Sequence, residues 1–180
     1  MRTLLAWAGD DPLREGLRET PSRVVKAYEE FFKGYNENPM SHLEKTFEDV
    51  GGYDEVVLIG PVAFESYCEH HLVPILGAVH VGYLPSNRVV GLSKIARVVD
   101  VFAKRLQIQE KMTSDLAKAI HRGLDARGVG VVIEAEHQCM STRGVKKRGV
   151  LTKTSCMLGV FRDSPQARAE LMALITNRAS

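Results

Sequence analysis

The chain has 180 residues, enough for one domain of ordinary size that buries roughly 70% of its unfolded surface and needs no staples to fold. Hydrophobic residues make up 44% and charged residues 26%, which argues against disordered and fibrous architectures. A net charge of +2 is too mild to point to nucleic acid or a membrane as partner, so any anion must be caught by a local cluster.

No apolar run approaches the ~18 residues of a membrane span. The opening stretch from Met1 to Trp7 carries a short apolar patch but soon meets Asp10 and Asp11, unlike a secretory signal. Three cysteines form an odd and sparse set. That argues against a disulfide framework and for reduced thiols in the cytoplasm.

Thr20-Pro21 reads as an N-cap and first-turn pair. Val24, Val25, Tyr28, Phe31 and Phe32 then recur at helical spacing until Gly34, and residues 36–39 read as a loop. After Gly51-Gly52 the pattern changes to strands at 56–59 and 62–67, separated by Gly60-Pro61. A further strand runs from about 78 to 84 and stops at the turn residues Pro85, Ser86 and Asn87. Ile95, Val98, Val99, Phe102 and Leu106 form the apolar stripe of a helix with Ser93 placed to cap it. Leu116, Ile120 and Leu124 mark a second helix that ends at Gly128. Strands over 129–140 and 150–161 follow, and Ser164-Pro165 opens a last helix containing Leu171, Leu174 and Ile175. Helices and antiparallel-looking strands are segregated rather than alternating, so the class is α+β in one domain.

Cys68-Glu69-His70-His71 contains a C-x-x-H pair, a spacing that brings two ligands to one side of a tight turn. Far downstream, His137-Gln138-Cys139 reads as the end of a strand, where residues two apart face the same way. Val131, Ile133 and Ala135 share that face, apolar until it becomes chemical. Thiolate and imidazole donors suit Zn²⁺, and three protein ligands leave a fourth position for a water that the metal activates near neutral pH. A zinc finger is excluded, because no second pair has the longer His spacing. A closed structural site with His137 as the fourth ligand fits the same residues, and spacing leaves both readings open.

Ser93, Lys94 and Arg97 fall in the first turn of their helix, where cations oppose the macrodipole. A bound anion removes that conflict, and a solvated helix start is the plainer alternative. Arg143, followed by Gly144, offers a bidentate guanidinium contact, whereas Lys146, Lys147 and Arg148 read as a solvated loop. No P-loop sequence occurs. Gln109-Glu110 lies between the two central helices. An acidic residue there either suits the helix dipole or accepts the paired N–H donors of a guanine edge.

The run Ser66-Tyr67-Cys68-Glu69-His70-His71-Leu72-Val73-Pro74 resembles the CEHH signature of the GTP cyclohydrolase I family. Gly91-Leu92-Ser93-Lys94-Ile95-Ala96-Arg97 is similar to its GLSK-x-x-R segment. The blocks 105–110 and 137–144 match two more, and 11–24 its N-terminal helical motif. The likeness runs in order over roughly residues 10 to 175. It implies Cys68, His71 and Cys139 as Zn²⁺ ligands, His70 as proton donor to the imidazole ring of guanine, and His137 as a proton relay. It further implies Glu110 on the guanine edge with Gln109 lining the same pocket, and Ser93, Lys94, Arg97 and Arg143 on the triphosphate and ribose. The implied reaction is zinc-dependent hydrolysis of GTP to formate and 7,8-dihydroneopterin triphosphate. The implied fold is the tunnelling fold, an antiparallel sheet with helices packed on one face. An N-terminal helical segment (1–50) precedes the catalytic region (51–180). A decamer with sites between subunits is the implied assembly.

Departures are few. Ile75-Leu76 stands where many members carry aromatic residues, and Cys156 reads as a core thiol. Two rival functions are a non-catalytic zinc module and a nitrile reductase of the same fold. The latter needs a nucleophilic Cys free of metal, and both non-core cysteines already have a metal role.

Overall fold

In the computed structural model, which describes residues 1–47 and 52–177, the N-terminal segment is helical. It comprises α1 (Arg2–Trp7), α2 (Glu15–Arg18), α3 (Thr20–Phe31), a 3-10 turn at Lys33–Asn36 and α4 (Pro39–Leu43). Thr20 is not the cap of α3. Glu19 holds that position, and the Thr20 hydroxyl instead accepts from the Arg23 guanidinium at 3.0 Å. Nor are residues 36–39 a loop throughout. The Asn38 side chain accepts from the Met40 N–H and Pro39 takes the first helical position, so an Asn-Pro pair that looks like a turn starts α4.

The rest of the chain forms β1 (Thr46–Phe47), β2 (Val57–Cys68), β3 (Pro74–Leu84), β4 (Val89–Val90), α5 (Leu92–Ala103), β5 (Leu106–Gln107) and α6 (Gln109–Leu124). It continues as β6 (Gly128–His137), α7 (Gln138–Ser141), β7 (Leu151–Gly159), α8 (Val160–Asp163) and α9 (Pro165–Thr176). The main sheet has the order β5-β2-β3-β6-β7, while β1 and β4 form a separate pair. Neighbours β2/β3, β3/β6 and β6/β7 are antiparallel. The short β5 runs parallel to β2, so the sheet is mixed rather than purely antiparallel.

The boundaries differ from the sequence reading where backbone geometry overrides periodicity. Gly60-Pro61 does not split β2; it forms an irregularity in register between Ile59 and Val62. Of the Gly51-Gly52 signal, Gly51 lies outside the described residues. Helix α5 starts at Leu92 with Gly91 as cap, so Ser93 sits one residue inside and makes no capping bond. It ends at Ala103, leaving Leu106 to β5. Helix α6 stops at Leu124 with Asp125 left-handed at φ 48°, and Gly128 begins β6 instead. Strand β7 stops at Gly159, whose φ of 55° and whose approach to the Arg127 carbonyl, 2.2 Å from where a Cβ would sit, admit only glycine. Phe161 therefore belongs to α8. Ser164 does cap α9, accepting from the Ala167 N–H at 3.2 Å.

Alternation along the strands divides the sheet. Val79, Val81 and Tyr83 of β3 and Val129, Val131, Ile133 and Ala135 of β6 face α5 and α6, whose Ile95, Val98, Val99, Leu116 and Ile120 complete a buried core. The helices are not confined to that face. Gly82 and Gly130, paired across β3 and β6, open a depression on the opposite side that Leu171 of α9 fills, joined by Leu84 and Phe161. The N-terminal segment is tied on at Gly34. Its N–H donates to the Lys104 carbonyl at 3.1 Å, and its carbonyl accepts from Arg105 at 3.0 Å.

Candidate active site

Strands β2 and β3 are joined by a tight connection in which the Cys68 N–H donates to the Val73 carbonyl and the Leu72 N–H donates to the Cys68 carbonyl. Leu72 adopts φ 54° to close it. On one side, Cys68 pairs with Gln107 of β5, and the Glu69 N–H donates to the Gln107 carbonyl. On the other, β3 carries the connection against the end of β6, with Ile75 opposite His137. The C-x-x-H pair is thus fixed to the sheet on both flanks.

Strand β6 ends at His137, and the chain winds into α7, which presents Cys139 from a helical turn rather than from an extended strand. The same-face argument for His137 and Cys139 therefore does not hold. Cys139 nonetheless comes close to the C-x-x-H pair: candidate ligand atoms of Cys68, His71 and Cys139 all lie within 4.8 Å of one another. His137 is outside that group, and its Nε2 is held by Gln109 Oε1 at 2.8 Å. Among the described residues, the group that could hold a metal ion thus has three donors, and His137 is not among them. Burial raises the Cys139 thiol above its ordinary pKa, and the Cys68 thiol beside it acts in the same direction. A thiol held protonated by burial, beside a second thiol and an imidazole, is a donor set that a divalent cation satisfies.

Both adjacent histidines are exposed, and each places Nδ1 3.8 Å from Cys68 Sγ, but only His71 joins Cys139 in the three-donor group. His70 Nε2 lies 3.9 Å from a Glu69 carboxylate oxygen. Arg143 reaches back from beyond α7 to place Nη1 2.9 Å from His71 Nε2.

Helix α6 begins beside this cluster. Glu110 is exposed in its first turn, and its carboxylate opposes the burial that depresses the His137 pKa. Gln109, predicted to line a pocket, is only 2% exposed, with its amide engaged by β6, β7 and His137. Thr113 and Thr154 complete that arrangement. Sequence reading missed both; a threonine in a strand and one in a helix carry no local signal.

Ser93, Lys94 and Arg97 are elsewhere. Helix α5, about 18 Å long, has its N-terminus beside Val90, whose N–H donates to the Tyr83 hydroxyl, at the end of the sheet where Tyr83 pairs with Val57. Its other end lies by Glu65 and Ser66, through Lys104 and the Arg105 carbonyl, close to Cys68. Within one chain, the anion-binding candidates and the three-donor group occupy opposite ends of the sheet, and only Arg143 is near the thiols.

The family model of GTP cyclohydrolase I matches residues 1–176. The chain belongs to the GTP cyclohydrolase I family. It is 54% identical over 175 residues to the GTP cyclohydrolase 1 of Maricaulis maris, covering 97% of this chain and 85% of that one. It is 56% identical over 175 residues to that of Brucella suis, covering 97% and 82%. As a member of the GTP cyclohydrolase I family the chain is a hydrolase. The crystal structure of the archaeosine synthase QueF-Like in the apo form shares the fold, with a TM-score of 0.50 at 19% identity over 59% of this chain and 96% of that one. Among the described residues no helix is long and apolar enough to cross a membrane.

Proposed function

We propose that this chain, with Zn²⁺ held by Cys68, His71 and Cys139, converts GTP to 7,8-dihydroneopterin triphosphate and formate, the first step of tetrahydrofolate and pterin synthesis. The observation that carries the reading is the three-donor group at the sheet end, with His70, His137, Glu110 and Arg143 around it, in a chain of this family. When bound, the cation supplies Lewis-acid activation of the water that attacks the imidazole carbon of guanine. His70, exposed beside the thiols, donates a proton to the imidazole ring, which avoids building negative charge on the purine. His137 relays protons as the ring opens and formate leaves. Glu110 accepts two N–H bonds from the guanine edge, with Gln109 in the same wall, and Arg143 meets the polyanionic side. Two waters are consumed in freeing formate and one is released as the pterin ring closes, so the net reaction takes up one water.

The proposed fold name is the tunnelling fold, and the proposed assembly is a homo-oligomer, a decamer by resemblance, with each active site between subunits. Ser93, Lys94 and Arg97 support this. They suit the triphosphate yet lie at the far end of their own sheet, so a neighbour's group would have to bring them to the metal. Among the described residues, exposed sheet edges support it too: β7 bonds only β6, and β2 meets β5 only at Tyr67 and Cys68.

The test is direct. Purified zinc-loaded protein incubated with GTP is expected to release formate and a fluorescent pterin in equal amounts. Unchanged GTP, or formate without pterin, overturns the reading.

A further inference from the structure

The side-chain amide of Gln109 has its two ends fixed by unlike neighbours. Its Nε2 lies 3.2 Å from the Ile133 carbonyl, 2.9 Å from the Thr152 carbonyl and 3.1 Å from the Thr154 hydroxyl. Two of these groups can only accept, so the amide nitrogen must face them; turned over, Gln109 would set its oxygen against two carbonyls. The oxygen Oε1 therefore faces His137, 2.8 Å from Nε2.

The hydroxyls run in one consistent direction. Thr113 Oγ1 lies 2.7 Å from the Gln109 carbonyl, which can only accept, so Thr113 donates there. Thr154 Oγ1 lies 2.7 Å from Thr113 Oγ1, and with the Thr113 proton already used, Thr154 donates to it. That leaves the Thr154 oxygen to accept, sharing a Gln109 Nε2 hydrogen with a carbonyl, since the amide has two hydrogens for three acceptors. The chain of donors is closed, and Gln109 and Thr113 are 2% and 1% exposed, so water does not compete.

From this polarity we infer that Gln109 is a positioning residue that locks His137 in the tautomer carrying its hydrogen on Nε2, leaving Nδ1 as the nitrogen with the free lone pair. An oxygen that can only accept requires a donor opposite it, and neutral imidazole has one donor to offer. Gln109 then acts on the reaction through His137 and spends its amide on the sheet, not on the guanine edge. This assignment of a kinetic role rests on the GTP reading above; the tautomer itself does not.

The test uses full-length zinc-loaded protein labelled with ¹⁵N in the histidine rings, with the His137 signals identified by their loss in His137→Asn. In the wild type, Nε2 of His137 is expected to resonate as a protonated nitrogen and Nδ1 as an unprotonated one, at a pH where the ring is neutral. Gln109→Met removes both ends of the amide. It is expected to mix the two tautomers and to lower kcat for GTP at least about tenfold, with KM moving less than about threefold. Thr154→Val, which keeps the shape and removes one acceptor, is expected to show the same pattern more weakly and serves if Gln109→Met does not fold. A wild-type ring protonated on Nδ1, or a Gln109→Met protein whose KM rises tenfold with kcat intact, overturns the inference. If the wild type releases no formate from GTP, the functional reading fails while the ring-nitrogen measurement still decides the tautomer.

Discussion

Arg143 Nη1 lies 2.9 Å from His71 Nε2. Arg143 meets His71 at Nε2, while the other ring nitrogen, Nδ1, lies 3.8 Å from Cys68 Sγ. Arg143 thus borders the three-donor group without belonging to it. Arg143→Ala is expected to keep its zinc by elemental analysis and to use GTP roughly 10- to 150-fold less well, the range for a charged hydrogen bond. Loss of zinc together with activity would show that Arg143 serves the metal instead.

On the proposed reading, the paired histidines divide their labour by position. Cys68→Ala, His71→Ala and Cys139→Ala are each expected to lose metal and turnover together. His70→Ala is expected to purify with zinc and bind GTP, while turning over at least about a hundredfold more slowly, as for a lost general acid. Zinc content and single-turnover rates on the same preparations check both halves. A zinc-free His70→Ala beside a zinc-replete His71→Ala would exchange the roles.

Glu110 stands exposed in the first turn of α6, free to meet a ligand while its neighbour Gln109 is buried. Glu110→Gln keeps the size and loses one acceptor of the pair that a guanine edge requires. GTP use is expected to fall about tenfold or more, with zinc unchanged. Steady-state kinetics that match the wild type would remove Glu110 from base recognition.

If Ser93, Lys94 and Arg97 serve a neighbour's metal, two inactive chains can repair one another. Lys94→Ala and Cys139→Ala, co-expressed in equal amounts and purified as mixed oligomers, are expected to recover roughly a quarter of the wild-type sites, because one pairing in four is intact on both sides. Mixed oligomers as inactive as either parent would place both functions in a single chain's site.

On the far face of the sheet, Leu171 is completely buried over Gly82 and Gly130. Leu171→Ala is expected to cost about 2–5 kcal/mol in chemical denaturation, as for other buried leucines cut to alanine. With Leu171 in place, neither glycine can take a side chain without displacing it, since a Cβ there would lie 2.2 or 2.3 Å from the leucine methyls.

Much of this was legible in the chain. The α5 stripe up to Phe102, the α6 stripe and the Ser164 cap follow from periodicity and local chemistry, and the C-x-x-H spacing does bring Cys68 and His71 together. What escaped depends on tertiary contacts. The apolar run through Met140 looks like uninterrupted strand, yet β6 stops at His137 because α7 turns away there. Leu171 resembles any helical leucine until two glycines on distant strands make room for it. Gln109 could be recognised as chemical but not as buried, because its partners lie on strands far along the chain.

The three candidate ligands come from two ends of the sequence that only the sheet unites. Cys68 leaves β2, Cys139 follows β6, and β3 lies between them. During synthesis, the Cys68 and His71 pair emerges long before Cys139, and the three cannot converge until β6 has docked along β3. On the proposed metal reading, capture is thereby postponed to a late moment of maturation, and a misregistered chain has no complete nest to offer. Loading with the ion would then certify that the strands have docked in order.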